Sequence, residues 1–110
     1  MIVGAVAPAL AAGLQAEIQG DTATALDPKY APALYNLGII RTNAGASAEA
    51  IDLDRRATVA DSSFARAYLN LGLLLFDAGD TAGSATALSK AVQLDPTLSP
   101  RIPDAARPAA

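Results

Sequence analysis

Ala33-Leu34-Tyr35-Asn36-Leu37-Gly38 returns as Ala67-Tyr68-Leu69-Asn70-Leu71-Gly72, and the two glycines stand 34 residues apart. Asp27, Asp61 and Asp95 keep the same interval. Laid over each other, residues 27–60 and 61–94 agree at ten positions, of which five are alanines and weigh little in so alanine-rich a chain. The other five carry the signal: Asp27/Asp61, Asn36/Asn70, Leu37/Leu71, Gly38/Gly72 and Gly45/Gly79. A fixed period of this length marks a repeat architecture, in which each unit buries its apolar face only by stacking on its neighbours.

Each period reads as two helices. Pro32 suits the first turn of a helix, where its missing N–H is not needed. Leu34, Leu37, Ile40 and Ala44 make one apolar stripe, and Gly45 is available for a left-handed closing residue. Ser47 is expected to cap the next helix, which runs to about Ala60. Asp61-Ser62-Ser63 breaks the chain and offers further caps. The plan repeats with a helix from about Ala65 to Ala78, a turn at Gly79-Asp80-Thr81, and a helix that ends near Leu94. Asp95-Pro96 closes it, because the residue before proline is pushed out of the helical region. Upstream, residues 1–13 read as a poor helix broken by Pro8, and 14–26 as a second helix ended by Asp27-Pro28. Downstream, Pro100, Pro103 and Pro108 and few apolar residues predict an extended, mobile tail or linker over residues 99–110.

The pattern resembles the tetratricopeptide repeat. Leu34, Leu37, Gly38, Gly45, Ala50 and Ala57 fill that family's positions in one unit. Tyr68, Leu71, Gly72, Leu75, Gly79, Leu88, Ala91 and Pro96 fill them in the next. There are departures: Arg41 stands where a tyrosine is usual, Asp54 for an aromatic, Ser62 for the proline and Ser84 for an alanine. The resemblance implies an all-α fold, a right-handed α-solenoid of antiparallel helix pairs with about two and a half repeats. Its units are about 31–64 and 65–98 within residues 27–98, and residues 1–26 form a partial or degraded N-terminal repeat.

Composition narrows the chemistry. The chain is 52% hydrophobic and 17% charged, enough to bury a core, but much of the apolar content is alanine, so a thin core of modest stability is expected. Net charge is −3, which leaves no basic stripe to neutralise phosphates and speaks against nucleic acid. The chain has no cysteine and no histidine. Thiolate or histidine metal sites and a histidine-based triad are therefore excluded within it, no cofactor is implied, and a reducing, cytoplasmic setting fits. Met1 to Leu14 carries no charge, but it lacks the basic start of a signal peptide, and Gly4, Pro8 and Gly13 break it too often for a membrane span. It reads as an apolar helix packed on its neighbour, with a targeting segment as the alternative. No phosphate loop, metal spacing or nucleophile setting is present. Asp52 and Asp54, beside Arg55 and Arg56, are expected on a solvated, charge-laced helix face.

The resemblance places the candidate site on the first helix of each pair, which lines the concave groove of such arrays. These residues are Tyr35, Asn36, Ile39, Thr42 and Asn43 in one unit, and Leu69, Asn70, Leu73, Phe76 and Asp77 in the next. An amide both donates and accepts, so Asn36 and Asn70 could ladder along an extended peptide. This Asn-Leu-Gly pattern resembles the asparagine ladder in the repeat arm of O-linked N-acetylglucosamine transferases. Two readings of these asparagines stay open: ligand contact, or hydrogen bonding within the array that fixes adjacent helices. The concave face has no lysine and only Arg66 at its edge, which speaks against the acidic chaperone tails that related modules hold. Ile39, Leu69, Leu73 and Phe76 point instead to an apolar or amphipathic segment.

The reading is therefore a non-enzymatic module that binds a peptide or protein segment. Two alternatives are weighed: the non-catalytic recognition arm of a larger glycosyltransferase-like enzyme, and a scaffold that self-associates through uncapped ends.

Overall fold

The computed structural model describes residues 29–107, and the expectations for residues 1–26, for the Asp27-Pro28 break and for residues 108–110 lie outside them. Four helices follow one another: α1 (Ala31–Asn43), α2 (Ser47–Ala60), α3 (Ala65–Asp77) and α4 (Thr81–Leu94). Among the described residues there is no strand. α1 packs on α2 and α3 on α4, and α2 also meets α3, so the two pairs stack. This is the solenoid of helix pairs that the period implied.

α1 starts with Pro32 in its first turn and buries Ala31, Ala33, Leu34, Leu37 and Gly38, spaced to share one face. It closes at Gly45, whose φ of +80° is the left-handed conformation that a side chain disfavours. The Gly45 N–H donates to Thr42 and the Ala46 N–H reaches back to Arg41, which satisfies carbonyls the helix would leave open. α3 closes the same way at Gly79, with φ +88°, Gly79 N–H donating to Phe76 and Asp80 N–H to Leu75.

The caps follow the sequence only in part. Asp80 caps α4, accepting from the Gly83 N–H at 2.9 Å. Ser47 does not cap α2: Ala46 occupies that position and Ser47 is already inside the helix. Asp61 accepts from Ser63 N–H within its own turn, while Phe64 precedes α3 without a side-chain cap.

Leu34, Leu37, Leu53 and Ala57 of the first pair pack with Ala67 of α3, and Tyr35 and Phe64 flank them. Leu71, Leu75 and Ala87 form a second cluster against Ile51. Fully burying a leucine is worth roughly 1.5–3 kcal/mol, so a handful of leucines carries a core otherwise made of alanine. The helices of each pair come close at glycine. A Cβ on Gly72 would lie 2.6 Å from the Leu88 side chain, and one on Gly38 would lie 2.7 Å from Asp54 Oδ1.

The expectation of an extended, mobile tail is corrected over residues 99–107. Pro96–Arg101 and Asp104–Ala106 form short 3-10 helices that fold back on α4. Leu98, Ile102 and Ala106 are buried against Leu69, Leu88 and Ala91. The prolines remove the donors an α-helix needs, but they leave three apolar side chains at intervals of four that can cover an apolar face. Asp95 holds the entry by accepting from the Thr97 N–H at 3.0 Å. Arg107 ties the end to Asp104 at 2.9 Å and to Ser99 at 3.1 Å. The C-terminal face of the stack, expected bare, is thus capped by the chain's own tail.

Candidate functional site

α1 and α3, the first helices of the two pairs, present Tyr35, Ile39, Thr42 and Asn43 on one side of a recess of about 180 Å³ and Arg66, Leu69, Asn70 and Leu73 on the other. Arg101 of the tail closes its edge. Of the sequence candidates, Tyr35, Ile39, Thr42, Asn43, Leu69, Asn70 and Leu73 line this recess, and Asn36, Phe76 and Asp77 do not. Phe76 packs instead against the cluster under the tail, and Leu69, 3% exposed, contributes to both. Asp77 is exposed at the end of α3.

The floor is held from behind. Tyr35 stacks tilted on Phe64, with ring centroids 4.9 Å apart. The Thr42 hydroxyl donates to the Gly38 carbonyl at 2.8 Å, so it is engaged within its own helix. Arg66 is exposed at the start of α3, and its charge adds a lesser pull to the two Thr97 hydrogen bonds that hold the Asp95 carboxyl below its usual range.

The two asparagines differ. Asn70 Nδ2 donates to Asp54 Oδ2 at 2.6 Å across the joint between α2 and α3. Asn36 is exposed, with no side-chain hydrogen bond among the described residues.

Asp54 itself corrects the sequence reading. It does not lie on a solvated face with Asp52, Arg55 and Arg56, which are exposed; it is 0% exposed. Its place is one period before that of Leu88, the residue that packs on Gly72. Charge-rich neighbours suggested solvent, while the repeat register, which assigned this position to an aromatic, held the correct signal. Burial pushes the Asp54 carboxyl up from 3.8 to about 7, against a weaker lowering by the Asn70 hydrogen bond. Arg101 was missed for a different reason: it lies beyond the repeats, and no pattern in the tail places it at the groove.

The Tetratricopeptide repeat profile matches residues 65–98, and a second Tetratricopeptide repeat profile matches residues 7–64. The chain belongs to the tetratricopeptide repeat family. The second match covers more than half of the chain, and its join with the first falls at the end of the first helix-pair unit. Tetratricopeptide repeats mediate protein–protein interactions as a class, which is the coarse function that membership supports. No curated protein matches the chain. Among the described residues of this tetratricopeptide array, no helix is long and apolar enough to cross a membrane.

Proposed function

We propose that the concave recess between α1 and α3 binds an extended protein segment that carries an apolar side chain beside a carboxylate. One observation carries this reading: Tyr35, Ile39, Leu69 and Leu73 supply an apolar floor, and Arg66 and Arg101 stand at the same recess. Guanidinium groups favour carboxylate partners, and an apolar floor gives the contact area that charge alone does not. The module is read as non-catalytic, as its family typically is.

The reading as a glycosyltransferase-type recognition arm is less well supported. It needs asparagines that act alike along the groove, whereas Asn70 is bonded to Asp54 and Asn36 has no side-chain hydrogen bond among the described residues. Self-association through the C-terminal end is opposed by the tail, whose Leu98, Ile102 and Ala106 already cover that face.

The test is fluorescence anisotropy with labelled twelve-residue peptides in which leucine alternates with glutamate, lysine or glutamine, backed by chemical-shift mapping. The glutamate series should bind tightest, move the Tyr35, Ile39 and Leu73 signals, and weaken about fivefold or more with Arg66→Ala or Arg101→Ala, a loss of roughly 1 kcal/mol. A panel that leaves those signals unmoved would remove the concave-face reading.

A further inference from the structure

Asn70 lines the recess, yet its Nδ2 is directed to the buried Asp54 carboxylate at 2.6 Å. A carboxylate only accepts, so the amide facing it must present its NH2 and turn its carbonyl away. Among the described residues Oδ1 of Asn70 has no hydrogen-bond partner and is not among the buried unpartnered atoms, and Asn70 itself lines the recess.

We infer that Asp54 is a positioning residue for the concave recess: it fixes the Asn70 amide with its donor inward and its carbonyl outward, so this position takes a hydrogen-bond donor, such as a peptide N–H, from the bound segment. The inference rests on the concave-face reading for its ligand, but not for the orientation of the amide. It narrows the role of the asparagine from a two-way peptide contact to an acceptor, because the donor half is already used.

The surroundings leave this control to Asp54. α1 presents the Gly38 backbone to it, and α3 presents Asn70. On α2 its charged neighbours Asp52, Arg55 and Arg56 are exposed, as is Arg66 one turn before Asn70 on α3. Arg41, beyond Gly38 on α1, pairs with Glu49 at 3.2 Å. The Asp54 carboxyl is raised by burial, and the Asn70 hydrogen bond opposes that rise. When protonated, the carboxyl can also donate, and the amide is then free to present either end.

Side-chain amide NMR on the ligand-free chain of residues 1–110 tests the orientation. One Asn70 Nδ2 proton should exchange with water several-fold more slowly than those of exposed Asn36 and Asn43. Its shift should titrate with a midpoint near 7. Asp54→Leu should abolish both the protection and the titration. Asp54→Asn, which keeps the shape, should abolish the titration and reduce the protection, because either amide can then donate. Asn70 protons that exchange as fast as those of Asn36, or that do not titrate between about pH 5 and 9, would overturn the proposal.

The donor preference is tested with N-acetyl-leucine methylamide against N-acetyl-leucine methyl ester, which differ by one N–H. The amide should shift the Asn70 signals several-fold more than the ester in the parent protein, and by a smaller margin in Asp54→Leu, where the freed amide can present either end. Equal shifts in the parent overturn the donor preference. No shift of Tyr35 or Leu73 by either probe overturns the concave-face reading, and the ligand-free spectra still decide the orientation.

Discussion

Asp54 and Asn70 meet across the joint between the two helix pairs, carboxylate to amide at 2.6 Å, with the second oxygen of Asp54 buried over Gly38 and without a hydrogen bond among the described residues. The corresponding place in the next unit is filled by Leu88, which is equally buried and packs on Gly72. One fold position thus holds an apolar residue in one unit and a carboxyl group in the other. A buried carboxylate with one oxygen unpartnered is costly.

That cost sets a pH dependence. The carboxyl of Asp54 lies at about 7 in the fold against 3.8 as its ordinary value, so the folded chain binds the proton more tightly than the unfolded chain. Stability is therefore highest below the unfolded value and falls as pH rises through about 7. At roughly 1.4 kcal/mol per pKa unit the loss is on the order of 4 kcal/mol at most. Asp95, with its carboxyl lowered, acts in the opposite direction and only in the acid range. Urea unfolding should give a lower midpoint at pH 8 than at pH 5, and Asp54→Leu should flatten the difference and raise the midpoint at pH 8. A midpoint that rises with pH in the parent protein would contradict the burial of an ionisable Asp54.

Gly72→Ala should destabilise the second unit by about 1–3 kcal/mol, because its Cβ meets a core leucine in a packed interior. The Cβ position lies 2.6 Å from Leu88 and 3.2 Å from the Leu88 backbone nitrogen, so side-chain movement alone does not relieve it. In a double-mutant cycle, Leu88→Ala should recover part of the loss. Strict additivity of the two substitutions would show that the contact is not the cause.

Gly45 and Gly79 should behave differently from Gly72. Among the described residues nothing lies within 4 Å of a Cβ at either, so the positive φ is what resists substitution. Gly79→Ala should cost about 1 kcal/mol and Gly79→Asn less, since asparagine tolerates this conformation better. Thermal unfolding of the two variants side by side checks the order, and a larger cost for asparagine would count against a left-handed close.

The tail should contribute to stability. Ile102 is 3% exposed and Leu98 5%, so Ile102→Ala or Leu98→Ala should lose about 2–4 kcal/mol, the range for deleting a buried aliphatic side chain. Replacing exposed Pro103 by alanine should change little. Hydrogen exchange would show the same thing locally, as faster exchange at the C-terminal end of α4 in the Ile102 variant. Wild-type stability in both core variants would mean the tail does not cap the stack.

The 34-residue period was enough to establish the helix pairs, their order and the glycine closes at Gly45 and Gly79, while the family resemblance put Tyr35, Ile39, Leu69 and Leu73, which line one recess, on the same face. These features are local or recur with the repeat: a left-handed turn needs its glycine, and a stacked unit needs its apolar face where the previous unit had one. Three matters were decided only in three dimensions. Asp54 is buried because its helix position faces Gly38, whatever its neighbours in sequence suggest. Asn36 and Asn70 look alike in sequence but not in space: Asn70 donates to the buried Asp54, and Asn36 is exposed with no side-chain hydrogen bond among the described residues. The proline-rich tail folds because an exposed face of α3 and α4 gives Leu98, Ile102 and Ala106 somewhere to bury, and that same fold carries Arg101 to the recess. Periodicity reports which side chains share a helix face; which atom then meets which across a joint depends on the partner element, and that is a property of the packed structure.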